Sequence, residues 1–156
     1  MMPVSPPFHI VLVEPDIPHN TGAVGRLCVG LGVPLHLIQP LGFSLRDEKV
    51  RRCGLDYWEH VDLRIHRSWA AFLEAEKPAA MIFASTRGSR SLYACSIPRE
   101  AYLVFGSEHA GLPEEFYTRY GADLVRIPMP GAHARSLNLA NAVAVAAYEA
   151  FRQIGS

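Results

Sequence analysis

Four short runs in this chain are apolar along almost their whole length: His9-Ile10-Val11-Leu12-Val13-Glu14, Leu35-His36-Leu37-Ile38, Ala80-Met81-Ile82-Phe83-Ala84 and Tyr102-Leu103-Val104-Phe105. A strand with one wet face alternates apolar and polar residues. A strand covered on both faces has no need to. Runs of this kind, bounded by turn residues, predict buried strands with helices above and below them.

Between the runs the period changes. Val24, Leu27, Cys28 and Leu31 recur at helical spacing, with Asn20 and Thr21 as candidate caps and Gly32 closing the segment. Asp47 to Arg52 reads as a short charged helix. Ser68 offers a cap for a helix through Ala71, Phe72 and Ala75, which stops before Pro78. Pro113 starts another, with Glu114 and Glu115 in its first turn. Asn138 to Gln153 is rich in alanine and forms the final helix. Leu63–Ile65 and Leu124–Ile127 add two strands, and Gly88 to Pro98 reads as loop with at most a turn of strand. This alternation predicts an α/β fold, a mostly parallel sheet with helices on both faces. No repeat or break in composition divides the 156 residues, so one domain spanning 1–156 is expected.

Composition narrows the function. Hydrophobic residues make up 49% of the chain, enough for a core without a disulfide or metal staple. Cys28, Cys53 and Cys95 are odd in number and widely spaced, which leaves a zinc or redox motif without support and fits a reducing cytoplasm. The N-terminal stretch has Pro3, Pro6 and Pro7, no basic cluster, and an apolar run too short for a signal peptide or membrane span. Lys and Arg total 15, as do Asp and Glu. That balance counts against a general nucleic-acid coat but leaves room for a local basic patch.

Three loops at strand ends hold residues a packed core does not use. The first is Glu14-Pro15-Asp16-Ile17-Pro18-His19-Asn20-Thr21-Gly22, with Arg26 one turn into the following helix. A helix N-terminus with a nearby arginine suits a phosphate or RNA backbone; a cap followed by a surface arginine is the simpler alternative. The second runs from Gly106 to Leu112 around Glu108. Its glycines would let backbone approach a ligand, or would serve only a tight turn before Pro113. It is not a G-x-G-x-x-G fingerprint, so a dinucleotide site lacks its main support. The third runs from Ile127 to Ser136 through Pro128, Pro130 and Gly131, and carries His133 and Arg135. Ser136 and Asn138 are candidate caps for the last helix. No second His or Cys lies at ligand spacing from His133, so no metal is expected.

Arg46, Lys49, Arg51 and Arg52 cluster beside Tyr57 and Trp58. Arginines next to aromatics suit phosphate contact and base stacking; a solvated helix face is the alternative. Tyr148 and Phe151 on the alanine-rich helix are candidate anchors for a second subunit.

In combination these segments resemble the SPOUT superfamily of RNA methyltransferases, the α/β-knot enzymes, and within it the small tRNA wobble-position 2′-O-methyltransferases of the TrmL/YibK group. The matching residues are the first loop with Arg26-Leu27-Cys28; Leu35-His36-Leu37-Ile38 with Pro40-Leu41-Gly42-Phe43; Arg51-Arg52-Cys53-Gly54-Leu55-Asp56-Tyr57; Phe105-Gly106-Ser107-Glu108 with Gly111-Leu112-Pro113; and Arg126-Ile127-Pro128-Met129 running to Arg135-Ser136-Leu137-Asn138-Leu139. The likeness extends from His9 to about Gln153. Asp16, Ala23, Ala134 and Ala140 stand where the family more often has Glu, Asn, Ser and Ser.

The resemblance implies a C-terminal deep trefoil knot, an exception to the near absence of knots in proteins. It implies S-adenosyl-L-methionine as cofactor, with contacts carried over to Ala84, Gly106, Ile127 and Ser136. Ser85, Phe105, Glu108, Met129, Leu137 and Asn141 are their expected neighbours. It also implies methyl transfer to the ribose 2′-hydroxyl of the anticodon wobble nucleotide, a tRNA anticodon stem-loop as partner, and a cytoplasmic homodimer. Arg26 matches the family's catalytic arginine, and Glu108 is a further candidate in catalysis. Asn20, Arg135 and Tyr148 are candidates for RNA or subunit contact. The alternatives are a 2′-O-methyltransferase for another tRNA position or rRNA, a non-catalytic RNA-binding module, and a flavodoxin-like nucleotide-binding protein.

Overall fold

The computed structural model describes residues 5–155, and the side chains of Cys53, Gly54 and Leu55 lie outside that description, as does Pro3. Seven strands form one sheet in the order β3-β2-β1-β6-β4-β7-β5. They are β1 (Phe8–Val13), β2 (Leu35–Ile38), β3 (Leu63–His66), β4 (Met81–Ala84), β5 (Arg90–Ser91), β6 (Ala101–Phe105) and β7 (Leu124–Arg126). Each pairing between them is parallel. The helices are α1 (Pro18–Leu31), α2 (Glu48–Gly54), α3 (Trp69–Glu76), α4 (Glu114–Arg119) and α5 (Leu139–Ile154).

The apolar runs are strands because both faces are covered. On one face Phe8, Ile10, Leu12, Leu35, Leu37 and Leu103 pack with Val24 and Cys28 of α1 and with Val143, Ala146, Ala147 and Ala150 of α5. On the other, Val11, Val13, Ile38, Phe83 and Val104 pack with Phe72 of α3 and Phe116 of α4. Phe72 is fully buried, and its truncation to alanine would cost about 3–5 kcal/mol. The alanines let α5 lie close, and its end is tied down by Gln153, which receives the Ile97 N–H and donates to the Cys95 carbonyl. Cys28 and Cys95 are free thiols.

Several boundaries differ from those the sequence suggests, each for a local reason. α1 begins at Pro18, not after Asn20 or Thr21. Proline at the first helical position has no N–H to satisfy and a φ already suited to the helix. The N-cap is therefore Ile17, which has no side chain able to cap. Thr21 instead lies fully buried, and its hydroxyl has no hydrogen-bond partner. Of the two candidate caps for α5, Asn138 accepts the Asn141 N–H, and Ser136 stays exposed in the loop before it. Ile127 lies one residue beyond β7. Ser68 caps α3 and Gly32 closes α1 in the left-handed region, as read from the sequence.

The face under α3 also carries three buried histidines from three adjacent strands. His9 Nδ1 lies 3.0 Å from His36 Nε2, and His36 Nδ1 lies 3.0 Å from His66 Nε2. Glu76, at the end of α3, accepts the Tyr102 hydroxyl at 2.8 Å and pairs with Arg64 at 3.4 Å. His9 also stacks on Tyr102, ring centroids 3.9 Å apart. Burial pushes the imidazoles of His9 and His36 well below the usual histidine range, to about 4 and about 2, and the neighbouring imidazoles lower His36 further.

Candidate active site

The carboxyl ends of β4, β6 and β7 open into a cleft of about 590 Å³. Residues from all three loops line it. Ile17 and Asn20 come from the first, Gly106 to Leu112 from the second, and Ile127, Met129 and Ser136 from the third, with Leu137 and Asn138 directly after it. Ala84, Ser85, Thr86 and Arg87 after β4, and Leu139 and Ala142 of α5, complete the wall. A crevice beyond the carboxyl ends of parallel strands is the usual ligand position in open α/β sheets.

The second loop is closed by its own backbone. The Ser107 N–H donates to the Gly111 carbonyl at 3.1 Å, and the Gly111 N–H donates back to Ser107 at 2.9 Å. Gly111 has a φ of +72°. A Cβ on Gly106 would lie 2.1 Å from the Gly111 carbonyl carbon and 2.2 Å from the Leu112 nitrogen. The sequence left two uses for glycine there, admitting a ligand or making a tight turn. Its first duty is to let the loop close on itself.

Glu108 ties the second loop to the first. Its Oε1 accepts the Asp16 N–H at 2.8 Å, and its Oε2 accepts the Ile17 N–H at 2.9 Å and the Asn20 amide at 3.1 Å. The missing side-chain cap of α1 is thus replaced by a carboxylate from the second loop, set against the positive end of the helix dipole. Asn20 in turn receives the Asn138 amide on its Oδ1 at 3.0 Å. A second tie between the first two loops runs from His109 Nδ1 to Asp16 Oδ2 at 2.9 Å.

Nine of the residues carried over to the cofactor line this cleft: Ala84, Ser85, Phe105, Gly106, Glu108, Ile127, Met129, Ser136 and Leu137. Asn141 does not; its backbone bonds to the Asn138 cap. Asn20, placed by the sequence at an RNA or subunit contact, lines the cleft but is only 7% exposed, and both its amide atoms are used within the chain. Arg26, Arg135 and Tyr148 lie outside the lining and are exposed. Tyr148 meets Phe151 edge-on at 6.2 Å on the outer face of α5.

Some cleft residues escaped the sequence reading. Tyr117 of α4 lies 3.2 Å from the Ser85 hydroxyl, and Arg87 stacks on its ring at 3.6 Å while pairing with Glu114 at 3.1 Å. No motif marks this group, because α4 reaches the cleft only through the fold. Among the described residues, the one group whose donor atoms converge as a metal site would need is His9, His36 and Glu76. None of these lines the cleft, and each is already engaged by its neighbours.

The cleft suits a medium-sized, partly apolar cofactor. Ligand pockets fall at roughly 300–1,000 Å³ and combine apolar walls with a few placed polar groups. Here Phe105, Leu112, Ile127 and Leu139 give the walls, and Ser85, Thr86, Ser136 and Asn138 the polar groups. Adenine, ribose and a sulfonium-bearing chain ask for that mixture.

Comparison with known proteins agrees with this reading. The profile of the SpoU rRNA methylase family matches residues 7–148. A tRNA (cytidine(34)-2'-O)-methyltransferase of Burkholderia ambifaria is 50% identical over 152 residues, covering 95% of this chain and 96% of its own. A solved structure reported for the 2-OH methylation of C/U34 on tRNA is 56% identical with a TM-score of 0.88, covering 94% of this chain and 95% of that one. The AviRb methyltransferase of Streptomyces viridochromogenes, solved with the cofactor AdoMet, is 26% identical with a TM-score of 0.82 over 97% of this chain and 59% of its own. With its cleft, its loops and these relatives in agreement, the chain belongs to the SpoU methylase family, within the SPOUT superfamily of RNA methyltransferases that its motifs resemble.

Proposed function

We propose that this enzyme transfers a methyl group to the ribose 2′-hydroxyl of the tRNA wobble nucleotide, cytidine 34 and its uridine counterpart. The observation that carries the reading is a cleft fitted for S-adenosylmethionine, built from three loops, in a chain half identical over nearly its full length to a named cytidine-34 methyltransferase. When bound, the cofactor supplies an activated methyl on a sulfonium. The protein's part is alignment and electrostatics.

Ala84, Gly106, Ile127 and Ser136 hold the cofactor in this reading, with Ser85, Phe105, Met129 and Leu137 beside them. Arg26 is an exposed residue of α1 outside the cleft lining, where RNA can reach it. A guanidinium stays charged at any working pH, so Arg26 acts by holding the phosphate and stabilising negative charge on the attacking oxygen. Glu108 already accepts three N–H bonds, so it serves as a positioning residue. Glu14, at the start of the first loop, is then the carboxylate left to take the proton, with an RNA phosphate as its competitor. Glu14 holds a φ of +53°, an uncommon backbone state for a residue with a side chain.

The chain offers one small surface for an anticodon arm, which favours a homodimer that shares the RNA, with Tyr148, Phe151 and Arg135 at subunit or RNA contacts. A C-terminal knot and a cytoplasmic setting belong to the same reading. No helix among the described residues is long and apolar enough to cross a membrane.

The test is incubation with bulk tRNA and methyl-labelled cofactor, followed by nuclease digestion and nucleoside analysis. Label in 2′-O-methylcytidine or the matching uridine at position 34 is the expected result. Label at another position, or in rRNA alone, would overturn the substrate assignment while leaving the enzyme class standing.

A further inference from the structure

Arg26 makes no ion pair with any described residue. Its guanidinium carbon instead lies 5.3 Å from the centroid of the Tyr57 ring, within the range of a cation–π contact. Tyr57 belongs to the 3-10 turn Leu55–His60, far from α1 in sequence, and remains 41% exposed.

The position of that turn is fixed beside Arg26. Trp58 packs closely against Gly25. A Cβ on Gly25 would lie 2.7 Å and 2.9 Å from two Trp58 ring atoms and 3.2 Å from Val61 Cγ2. The residue next to Arg26 is therefore the seat of the residue next to Tyr57. A turn docked for stability alone would need only the tryptophan. This one also presents an aromatic ring to the one arginine of α1, at an exposed position outside the cleft lining.

We propose that Tyr57 is a positioning residue for methyl transfer: its ring, set in place by the Trp58–Gly25 contact, holds the Arg26 guanidinium so that its in-plane N–H groups face the RNA. This rests on the wobble-methylation reading for its substrate. A long arginine side chain free in water must lose rotamer freedom to grip a phosphate or ribose oxygen. A guanidinium lying on a ring has lost part of that freedom already, and contact through its face leaves its edge donors available. Arginine fits this role better than lysine, since only a planar cation can stack and donate sideways together.

The test has two arms. The first needs no substrate. Side-chain NMR of the free protein should show the Arg26 Nε–H shifted by the ring current of Tyr57, in the wild type and in Tyr57→Phe, and returned to the ordinary arginine position in Tyr57→Leu. An unchanged signal in Tyr57→Leu overturns the proposal.

The second is a kinetic cycle on tRNA. An exposed cation–π contact is worth ~0.5–1 kcal/mol, so Tyr57→Leu should lower kcat about 2–5-fold. Cofactor binding by calorimetry should not move, and Tyr57→Phe should restore the rate. In an Arg26→Lys background the Tyr57→Leu effect should vanish, because the two act as one unit. Persistence of the full effect there would mean that Tyr57 touches RNA on its own account and would overturn the positioning role. Wild-type protein that shows the ring-current shift but methylates another RNA supports the pairing and overturns the wobble substrate instead.

Discussion

Glu108 Oε1 accepts the Asp16 backbone N–H at 2.8 Å, joining residues 92 positions apart. With the Ile17 N–H and the Asn20 amide it closes the start of α1 from another loop. Hydrogen bonds to a charged acceptor contribute about 1.5–3 kcal/mol each when one partner is removed from a partly buried site. Glu108→Ala is therefore expected to lower the melting temperature by several degrees and to weaken cofactor binding at least tenfold, because the cleft loses the tie between two of its walls. Thermal melts and calorimetry on the same sample check this. A fall in kcat with both quantities unchanged would instead make Glu108 a proton acceptor.

Gly106 and Gly131 separate loop geometry from loop flexibility. Alanine at Gly106 would drive a methyl group into the Gly111 backbone at 2.1 Å. Alanine at Gly131 meets nothing within 4 Å. Gly106→Ala should abolish cofactor uptake, and Gly131→Ala should leave it within about twofold, near the ±0.5 kcal/mol usual for open surface sites. Equal affinity in the two variants would show that the closed loop does not shape the cleft.

Arg26→Ala should reduce methyl transfer by about a hundredfold or more, as removal of one transition-state donor does elsewhere. Cofactor binding should be nearly unchanged, since Arg26 is not part of the lining. Calorimetry beside single-turnover kinetics tests the split. A comparable loss in both would move Arg26 into the cofactor site.

The buried histidines give the fold an acid limit. Burial, the first cause, lowers the imidazole of His9 to about 4 and that of His36 to about 2. Their unfolded value is 6.5. Below it the unfolded chain binds protons that the folded chain refuses, so stability falls with pH. The contribution is whole above pH 6.5 and drains away as the pH drops toward 4. Urea midpoints at pH 7.5, 6 and 5 should decline in the wild type. His36→Phe, whose ring takes similar space and binds no proton, should show a flatter decline. Parallel curves for the two proteins would mean that other groups set the acid limit.

The sheet and its class are readable in the chain because strands covered on both faces leave continuous apolar runs. The two-residue strand Arg90–Ser91 shows in the chain only as the turn of strand allowed between Gly88 and Pro98, since pairing with Val125 and Arg126 is what makes it a strand. The three loops at the cleft are marked by their glycines, prolines and asparagines. What ties them together is hidden, because Asn20 and Glu108 carry no local sign of each other. Reading Asn20 as a helix cap fails for a stated reason: Pro18 claims the first helical position and leaves the cap to a distant carboxylate. The histidine group is hidden likewise, each member arriving on a different strand. Tyr57 was visible as an aromatic beside basic residues, but its true neighbour, Arg26, is supplied by the docking of Trp58 on Gly25.

The order of the sheet bears on synthesis. β7 lies between β4 and β5, although both precede it in the chain. While residues 124–126 are still inside the ribosome, β4 has one open edge and β5 has no neighbour to bond. Translation thus runs through an interval in which the central strands exist but one sheet edge and the face that α5 will cover stay open, and unpaired strand edges invite pairing with other chains. The late segment that closes this flank is followed directly by the third cleft loop and then by α5, so the same stretch of synthesis that covers the sheet also completes the walls of its cleft.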